Sequence, residues 1–266
     1  TVERRSSHEW ILAQGAHFST TEVISGTLFA LVSGRYRPIR ISERDIVFEN
    51  DDYIAVAKRR GWPVHRTVDP KRPNLFDAIK SYLRHRSNGA DVYLALHHRL
   101  DVWTSGVVIF AKSKRANPVL AKLFVAREAQ KVYEAVCVGS PPQPEGELSH
   151  FLKKTKVGRT ERMVAVRSGG KKAITRYRVL EKRGSLSRVE FDLVTGRMHQ
   201  IRVQSALAGF PILGDAAYGI AEANLRYGAS DQLLHARELS FDDPLSDEHI
   251  VIEAPVPEEF STLSSS

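Results

Sequence analysis

His97-His98-Arg99-Leu100-Asp101-Val102-Trp103-Thr104-Ser105-Gly106-Val107-Val108-Ile109-Phe110 is the stretch on which the reading of this chain turns. Its second half, Val107 to Phe110, is a short, unbroken apolar run of the kind that forms a strand buried on both faces. Its first half brings a carboxylate, Asp101, to the edge of that strand, beside Arg99 and a Thr-Ser-Gly turn. Carboxylates are rarely left at an apolar edge without a cationic partner or a chemical task. On these residues alone a plainer reading stays open, in which Asp101 only caps the turn that follows it.

Working outward, Ile46 to Lys58 reads as a strand, an acidic turn and a second strand, and Leu75, Phe76, Ile79, Tyr82 and Leu83 have helical spacing. Downstream, Asn117-Pro118 suits a helix start, with Val119, Leu120, Leu123 and Phe124 as its apolar face. Val189, Phe191 and Leu193 alternate with Arg188, Glu190 and Asp192, predicting a half-buried strand that runs into a Thr195-Gly196-Arg197 turn. His199 to Ala208 then reads as a helix closed by Gly209 and Pro211. Strands outnumber helices without alternating with them, which is an α+β pattern. Residues 139 to 172, with Pro141-Pro142-Gln143-Pro144 and Lys153-Lys154-Thr155-Lys156, have the composition of an exposed loop or hairpin.

With 266 residues, 42% of them hydrophobic, the chain can bury one sizeable core. A net charge of +8 spreads excess Lys and Arg over the surface, which favours polyanions. The single cysteine, Cys137, excludes an intramolecular disulfide framework and a multi-cysteine metal site, and points to a reducing, cytoplasmic compartment. Set in Val136-Cys137-Val138, it reads as a small buried apolar residue. His97 and His98 are adjacent on an extended segment, so they face opposite ways and do not suggest a metal pair. No apolar run reaches the length of a membrane span and no signal-peptide pattern opens the chain, so neither membrane nor metal is expected.

The wording of the central stretch, His-Arg-Leu-Asp-x-x-Thr-Ser-Gly, resembles the catalytic segment of the RluA-type family of RNA pseudouridine synthases, in which the aspartate is essential. Thr195-Gly196-Arg197-Met198-His199-Gln200-Ile201-Arg202-Val203 resembles the family's second signature, and Pro211-Ile212-Leu213-Gly214-Asp215 with Tyr218-Gly219 continues it. Lys131-Val132-Tyr133-Glu134-Ala135, Gly170 to Thr175, Leu234-His235-Ala236 and Ala254 to Pro257 extend the match. The resemblance implies a single catalytic domain over residues 44–260, built as a mixed, largely antiparallel sheet flanked by helices and loops. Residues 1–43 would be an N-terminal extension without the S4-type RNA-binding module that many relatives carry, and 261–266 a tail. The chain departs from the family wording at Arg59, where a proline is usual, and at Met198 and Gln204, where threonine and histidine are usual.

What the resemblance implies chemically is an isomerisation: the bond from ribose C1′ to uracil N1 breaks, the base turns, and C5 joins C1′. No electron, phosphate or water is consumed, so no cofactor is implied. Asp101 would be the catalytic carboxylate, stabilising charge at C1′, adding to that carbon or deprotonating it. Arg202 matches the arginine that sits against it, and a bidentate pair would hold the carboxylate ionised and oriented. Tyr133 would stack on the base, and Ile201 would pack beneath it. Arg99 would contact the phosphate or ribose, or fill the space left by an extruded nucleotide. Each has a plainer alternative: a solvated helix arginine for Arg202, a core residue for Tyr133 or Ile201. The expected partner is ribosomal or transfer RNA, bound by a monomer. Two rivals are a noncatalytic RNA-binding protein of the same fold and a hydrolase, though hydrolysis normally recruits paired carboxylates.

Overall fold

The computed structural model describes residues 36–158 and 160–262. Residues 1–35 of the expected extension, including its apolar pieces Val23-Ile24 and Leu28 to Val32, lie outside the described residues. From Tyr36 the chain belongs to one unit.

Strands β1 (Ile46–Glu49) and β2 (Tyr53–Lys58) form the expected hairpin. Its turn is fixed by the Asn50 side-chain carbonyl, which accepts from the backbone N–H groups of Asp52 at 2.9 Å and Tyr53 at 2.7 Å. Helix α1 (Leu75–Arg86) starts where Asn74 accepts from Asp77 N–H at 3.0 Å, and it buries Leu75, Ile79 and Leu83. Strand β3 (Ser105–Ala111) is buried along its whole length, as its apolar run predicts. Helix α2 (Ala116–Ala126) and strand β4 (Gln130–Val138) follow. The Pro- and Lys-rich stretch resolves into long strands: β5 (Glu145–Val157) turns into β6 (Thr160–Ala165), and β7 (Lys171–Arg183) begins at its end. Strand β8 (Leu186–Leu193) alternates as expected, with Val189 and Phe191 buried. Helix α3 (Gln200–Leu207), short helix α4 (Ala221–Arg226), strands β9 (Leu234–Asp243) and β10 (Glu248–Glu253) and the final turn α5 (Glu259–Thr262) complete the unit.

The strands form one mixed sheet in the order β1-β2-β3-β9-β4-β8-β7-β5-β6, with β10 also paired to β9. Every pairing among the described strands is antiparallel except β3 with β9, which run parallel over Ser105↔His235 and Gly106↔Ala236. That short seam joins the N-terminal strands to the rest of the sheet. It is stapled by the Ser105 hydroxyl against His235 Nδ1 at 2.9 Å, while His235 Nε2 meets the Ala254 carbonyl at 3.2 Å. Gln232 adds a bond from its amide nitrogen to the Thr104 hydroxyl at 2.6 Å. One face of the sheet packs Ile54, Val56, Val108, Phe110 and Phe191 against α1 and Ile201 of α3. The other packs Tyr53, Val107, Ile109 and Phe241 against Leu120 and Leu123 of α2. Apolar layers on both sides are why β3 is apolar at consecutive positions rather than alternate ones.

Asp101 lies just before the seam, so its position depends on how closely β3 approaches β9. Gly106 permits that approach: its φ is +116°, and a Cβ there would lie 2.1 Å from the Ala236 carbonyl oxygen. Gly106→Ala is therefore expected to cost at least about 2 kcal/mol, a fall in Tm of about 5 °C or more followed by circular dichroism. An unchanged Tm would show that the seam can open without penalty.

Candidate active site

Asp101 sits in the turn between buried Leu100 and β3, its carbonyl accepting from Thr104 N–H at 3.1 Å. Its side chain keeps 21% of its surface open to a cleft of about 540 Å³. Arg202, in the first turn of α3, donates from Nη1 to Asp101 Oδ2 at 2.9 Å. The bidentate fork goes elsewhere than the sequence suggests. Nε and Nη2 of Arg202 donate to Oδ2 and Oδ1 of Asp215 at 2.7 and 2.9 Å, leaving a single hydrogen bond for Asp101. Geometry explains the choice: Asp215 is fully buried and cannot be left uncompensated, whereas Asp101 retains contact with water.

Asp215 is itself held by the backbone N–H groups of Ala217 and Tyr218, at 2.8 and 3.0 Å from Oδ1. Burial pushes its carboxyl up, but Arg202 and these N–H groups more than offset that and hold it below the usual carboxylate range. Burial likewise opposes the charge on Arg202, and the two carboxylates outweigh it, raising its pKa above the ordinary value. The guanidinium carbon also lies 5.2 Å over the Tyr218 ring.

His199, in a left-handed conformation with φ +52°, precedes α3 and places Nε2 3.6 Å from Asp101 Oδ2. Its Nδ1 lies 3.0 Å from the Tyr218 hydroxyl, which accepts from Met163 N–H at 2.8 Å. The tyrosine proton is thus free to be donated to Nδ1, a pairing that leaves the imidazole N–H on Nε2, toward Asp101. Burial lowers the pKa of His199, with Asp101 pulling in the other direction. Beneath the turn, Gln200 accepts from the Thr195 hydroxyl at 2.7 Å and Arg197 N–H at 2.9 Å, fixing the approach to α3. Gln204, the departure from the family wording that lies on this helix, is fully buried and ties α3 to the sheet. It donates to the Leu148 and Ala173 carbonyls and accepts from the Thr175 hydroxyl.

Lys58 supports Asp101 from the opposite side. Its buried amine donates to the carbonyls of Arg59, Trp62 and Val102 at 3.1, 3.0 and 2.9 Å, and Gly61 N–H also reaches the Val102 carbonyl. The loop that carries arginine in place of proline is thereby fastened to the Asp101 turn. Burial pushes the Lys58 pKa down to about 7, with Asp101 acting to raise it.

The remaining predicted residues converge on the same cleft. Tyr133 and Ile201 are almost fully buried and line it, and Arg99 lies exposed at its rim with Nη1 3.2 Å from His65 Nε2. Burial, and secondarily Asp101, raises the pKa of the Tyr133 hydroxyl. Tyr133 shares its strand face and core cluster with Ala135 and Cys137, as alternation requires. Sequence reasoning assigned no role to Asp215 or Lys58. Asp215 stands in a quoted motif, but nothing in the residue pattern says that a carboxylate 13 positions after an arginine turns back onto it.

A family model described as RNA pseudouridylate synthase matches residues 52–207, a span that holds Asp101, Tyr133 and Arg202. The chain belongs to the RluA-type RNA pseudouridine synthases. It is 34% identical over 238 residues to ribosomal large subunit pseudouridine synthase D of Vibrio parahaemolyticus, covering 83% of this chain and 69% of that one. It is 32% identical to the uncharacterized RNA pseudouridine synthase YhcT of Bacillus subtilis, over 83% and 71% of the two chains. The solved structure of human RNA pseudouridylate synthase domain containing 4 superposes with a TM-score of 0.67 at 26% identity, over 83% and 91%. The pseudouridine synthase fold expected from the motifs is therefore the fold observed, and the enzyme is an isomerase of uridine in RNA. Among the described residues, no helix is long and apolar enough to cross a membrane.

Removing the charge from Asp215 leaves Arg202 with the partly open Asp101 as its remaining carboxylate partner. Asp215→Asn is expected to cost about 3–5 kcal/mol in denaturant unfolding, the penalty for leaving one member of a buried pair unmatched. Near-wild-type stability would show that Arg202 does not depend on this partner.

Proposed function

We propose that this pseudouridine synthase isomerises a uridine in ribosomal or transfer RNA with Asp101 acting at ribose C1′. The observation that carries this reading is the three-member chain Asp215–Arg202–Asp101, which presents one oriented carboxylate to a cleft and keeps the other out of reach. A uracil in that cleft would stack on Tyr133 and pack on Ile201, bringing its C1′ toward Asp101. The Arg202 hydrogen bond fixes the orientation of the carboxylate, which all three candidate tasks (charge stabilisation, addition and deprotonation) require. Arg99, exposed at the rim, would contact the sugar–phosphate or occupy the space the uridine leaves.

The similarity to enzymes named for the large ribosomal subunit makes large-subunit RNA the first substrate to try. We assign the reaction to residues 44–260 acting as a monomer in the cytoplasm without cofactor, and residues 1–43 to an extension that aids site selection. The hydrolase reading loses ground on geometry. The second carboxylate beside Asp101 is Asp215, both of whose oxygens are occupied in a dry site, so it is not placed to activate water. A noncatalytic RNA binder would have no use for an oriented carboxylate facing a polyanion.

The test is tritium release from RNA labelled at uracil C5, because joining C5 to C1′ displaces that hydrogen. Wild type is expected to release tritium, whereas Asp101→Asn, nearly isosteric but uncharged, should fall to background with RNA affinity changed by no more than about a few-fold. Turnover by Asp101→Asn would contradict the assignment.

A further inference from the structure

Two positions before Tyr133 on β4, Lys131 points to the same face of the strand, about 7 Å away along it. Its ammonium lies 5.5 Å from the centre of the Phe124 ring at the end of α2, and 3.7 Å from where a Cβ at Gly196 would stand. It thus spans the cleft from α2 to the turn that precedes α3. Among the described residues no hydrogen bond or ion pair takes any of its three N–H donors. Burial lowers its pKa and the nearby positive charge of Arg127 lowers it further, while Asp192 acts weakly in the other direction.

Arg127 and Arg197 line the same cleft. Arg127 is exposed, holds a left-handed backbone with φ +64°, and has no side-chain partner among the described residues. Arg197 donates from Nε to the Lys172 carbonyl at 3.2 Å, and among the described residues its terminal nitrogens have no partner. Among the described residues, Asp101 is the only acidic one lining the cleft, and it is engaged by Arg202. Lys131, Arg127 and Arg197 thus face one half-dry space in which the acidic lining residue, Asp101, is already paired with Arg202. A lysine laid over an aromatic ring merely to cover it would not be placed beside an unpaired arginine, because like charges at low dielectric repel. The arrangement is complete only when an anion enters.

We infer that Lys131, flanked by Arg127 and Arg197, seats a backbone phosphate of the RNA strand adjacent to the uridine stacked on Tyr133. This deepens the proposed function and rests on its placement of the base. The strand spacing between Tyr133 and Lys131 suits a base on one residue and a phosphate of the same strand on the other. Lys131 is thus a binding and positioning residue, with no contact to the reacting atoms.

The experiment measures binding of a fluorescein-labelled decauridylate by anisotropy between 50 and 200 mM KCl, chosen because each phosphate contact on a single strand contributes about 0.7 to the slope of log affinity against log salt. Lys131→Met is expected to make that slope shallower by about 0.7 and to weaken binding at the lowest salt by about tenfold. Lys131→Arg should keep the slope, and Lys80→Met, an exposed control on α1, should leave slope and affinity unchanged. Should Lys131→Met fail to fold, Arg127→Asn decides instead. Asparagine tolerates the left-handed backbone, so a loss of about 0.7 supports the seat and an unchanged slope overturns it.

A wild-type slope in folded Lys131→Met, an equal loss in Lys80→Met, or no salt-dependent binding by wild type would each overturn the inference. Tritium release by the wild type, measured in parallel, separates the two readings. An active wild type with an unaltered Lys131→Met slope removes the phosphate seat alone, while the slope loss without tritium release leaves the seat standing and removes the proposed reaction.

Discussion

One guanidinium shared between two carboxylates organises this structure. A buried arginine is costly unless its donors are satisfied, and Arg202 satisfies them by giving its planar fork to Asp215 and its remaining terminal nitrogen to Asp101. The two carboxylates are unequal. Asp215 is dry and saturated and serves as the anchor, so the arginine's position is set before any substrate arrives. Asp101 is partly open and receives one bond, which leaves oxygen lone pairs facing the cleft. An interaction that would otherwise only stabilise the fold therefore also presents a charged group at a fixed place, the form of preorganisation that electrostatic catalysis requires.

The sheet brings these partners together from distant parts of the chain. Asp101 precedes the one parallel pairing among the described strands, while Arg202 and Asp215 belong to the segment between β8 and β9. The β3–β9 seam is only two residue pairs long, and Ser105, His235, Thr104 and Gln232 reinforce it with side-chain hydrogen bonds. On its other flank, Lys58 fastens the loop after β2 to the Val102 carbonyl, one residue beyond Asp101. The carboxylate is thus constrained from β2, β3 and α3 at once, and a small shift in any of them would be felt at the same atom.

Much of this was legible in the residues. The unbroken apolar run at Val107 to Phe110 announced a doubly covered strand, and the alternation at Val189 to Leu193 a singly covered one, because burial on one face or two writes a different pattern. The contact between Arg202 and Asp101 followed from the motifs. Which carboxylate receives the fork did not, because order along the chain says who is near but not who is driest. Lys58 was illegible for a related reason: a lysine at a strand end reads as solvated, and only the three carbonyls gathered around it reveal otherwise. The stretch from 139 to 172 has the composition of an exposed loop or hairpin, and β5 and β6 carry it as a long hairpin whose lysines are exposed; the choice between the two was illegible because exposed strands lack the apolar alternation that identifies buried ones.

Arg202 holds Asp101 through a directional hydrogen bond rather than as a nearby positive charge. The most direct test is the rate of tritium release from C5-labelled RNA by Arg202→Lys, with unfolding followed on the same sample. A rate at least about a hundredfold below wild type is expected in protein that remains folded, because an ammonium cannot bridge both carboxylates. A folded Arg202→Lys enzyme that releases tritium at close to the wild-type rate would contradict it.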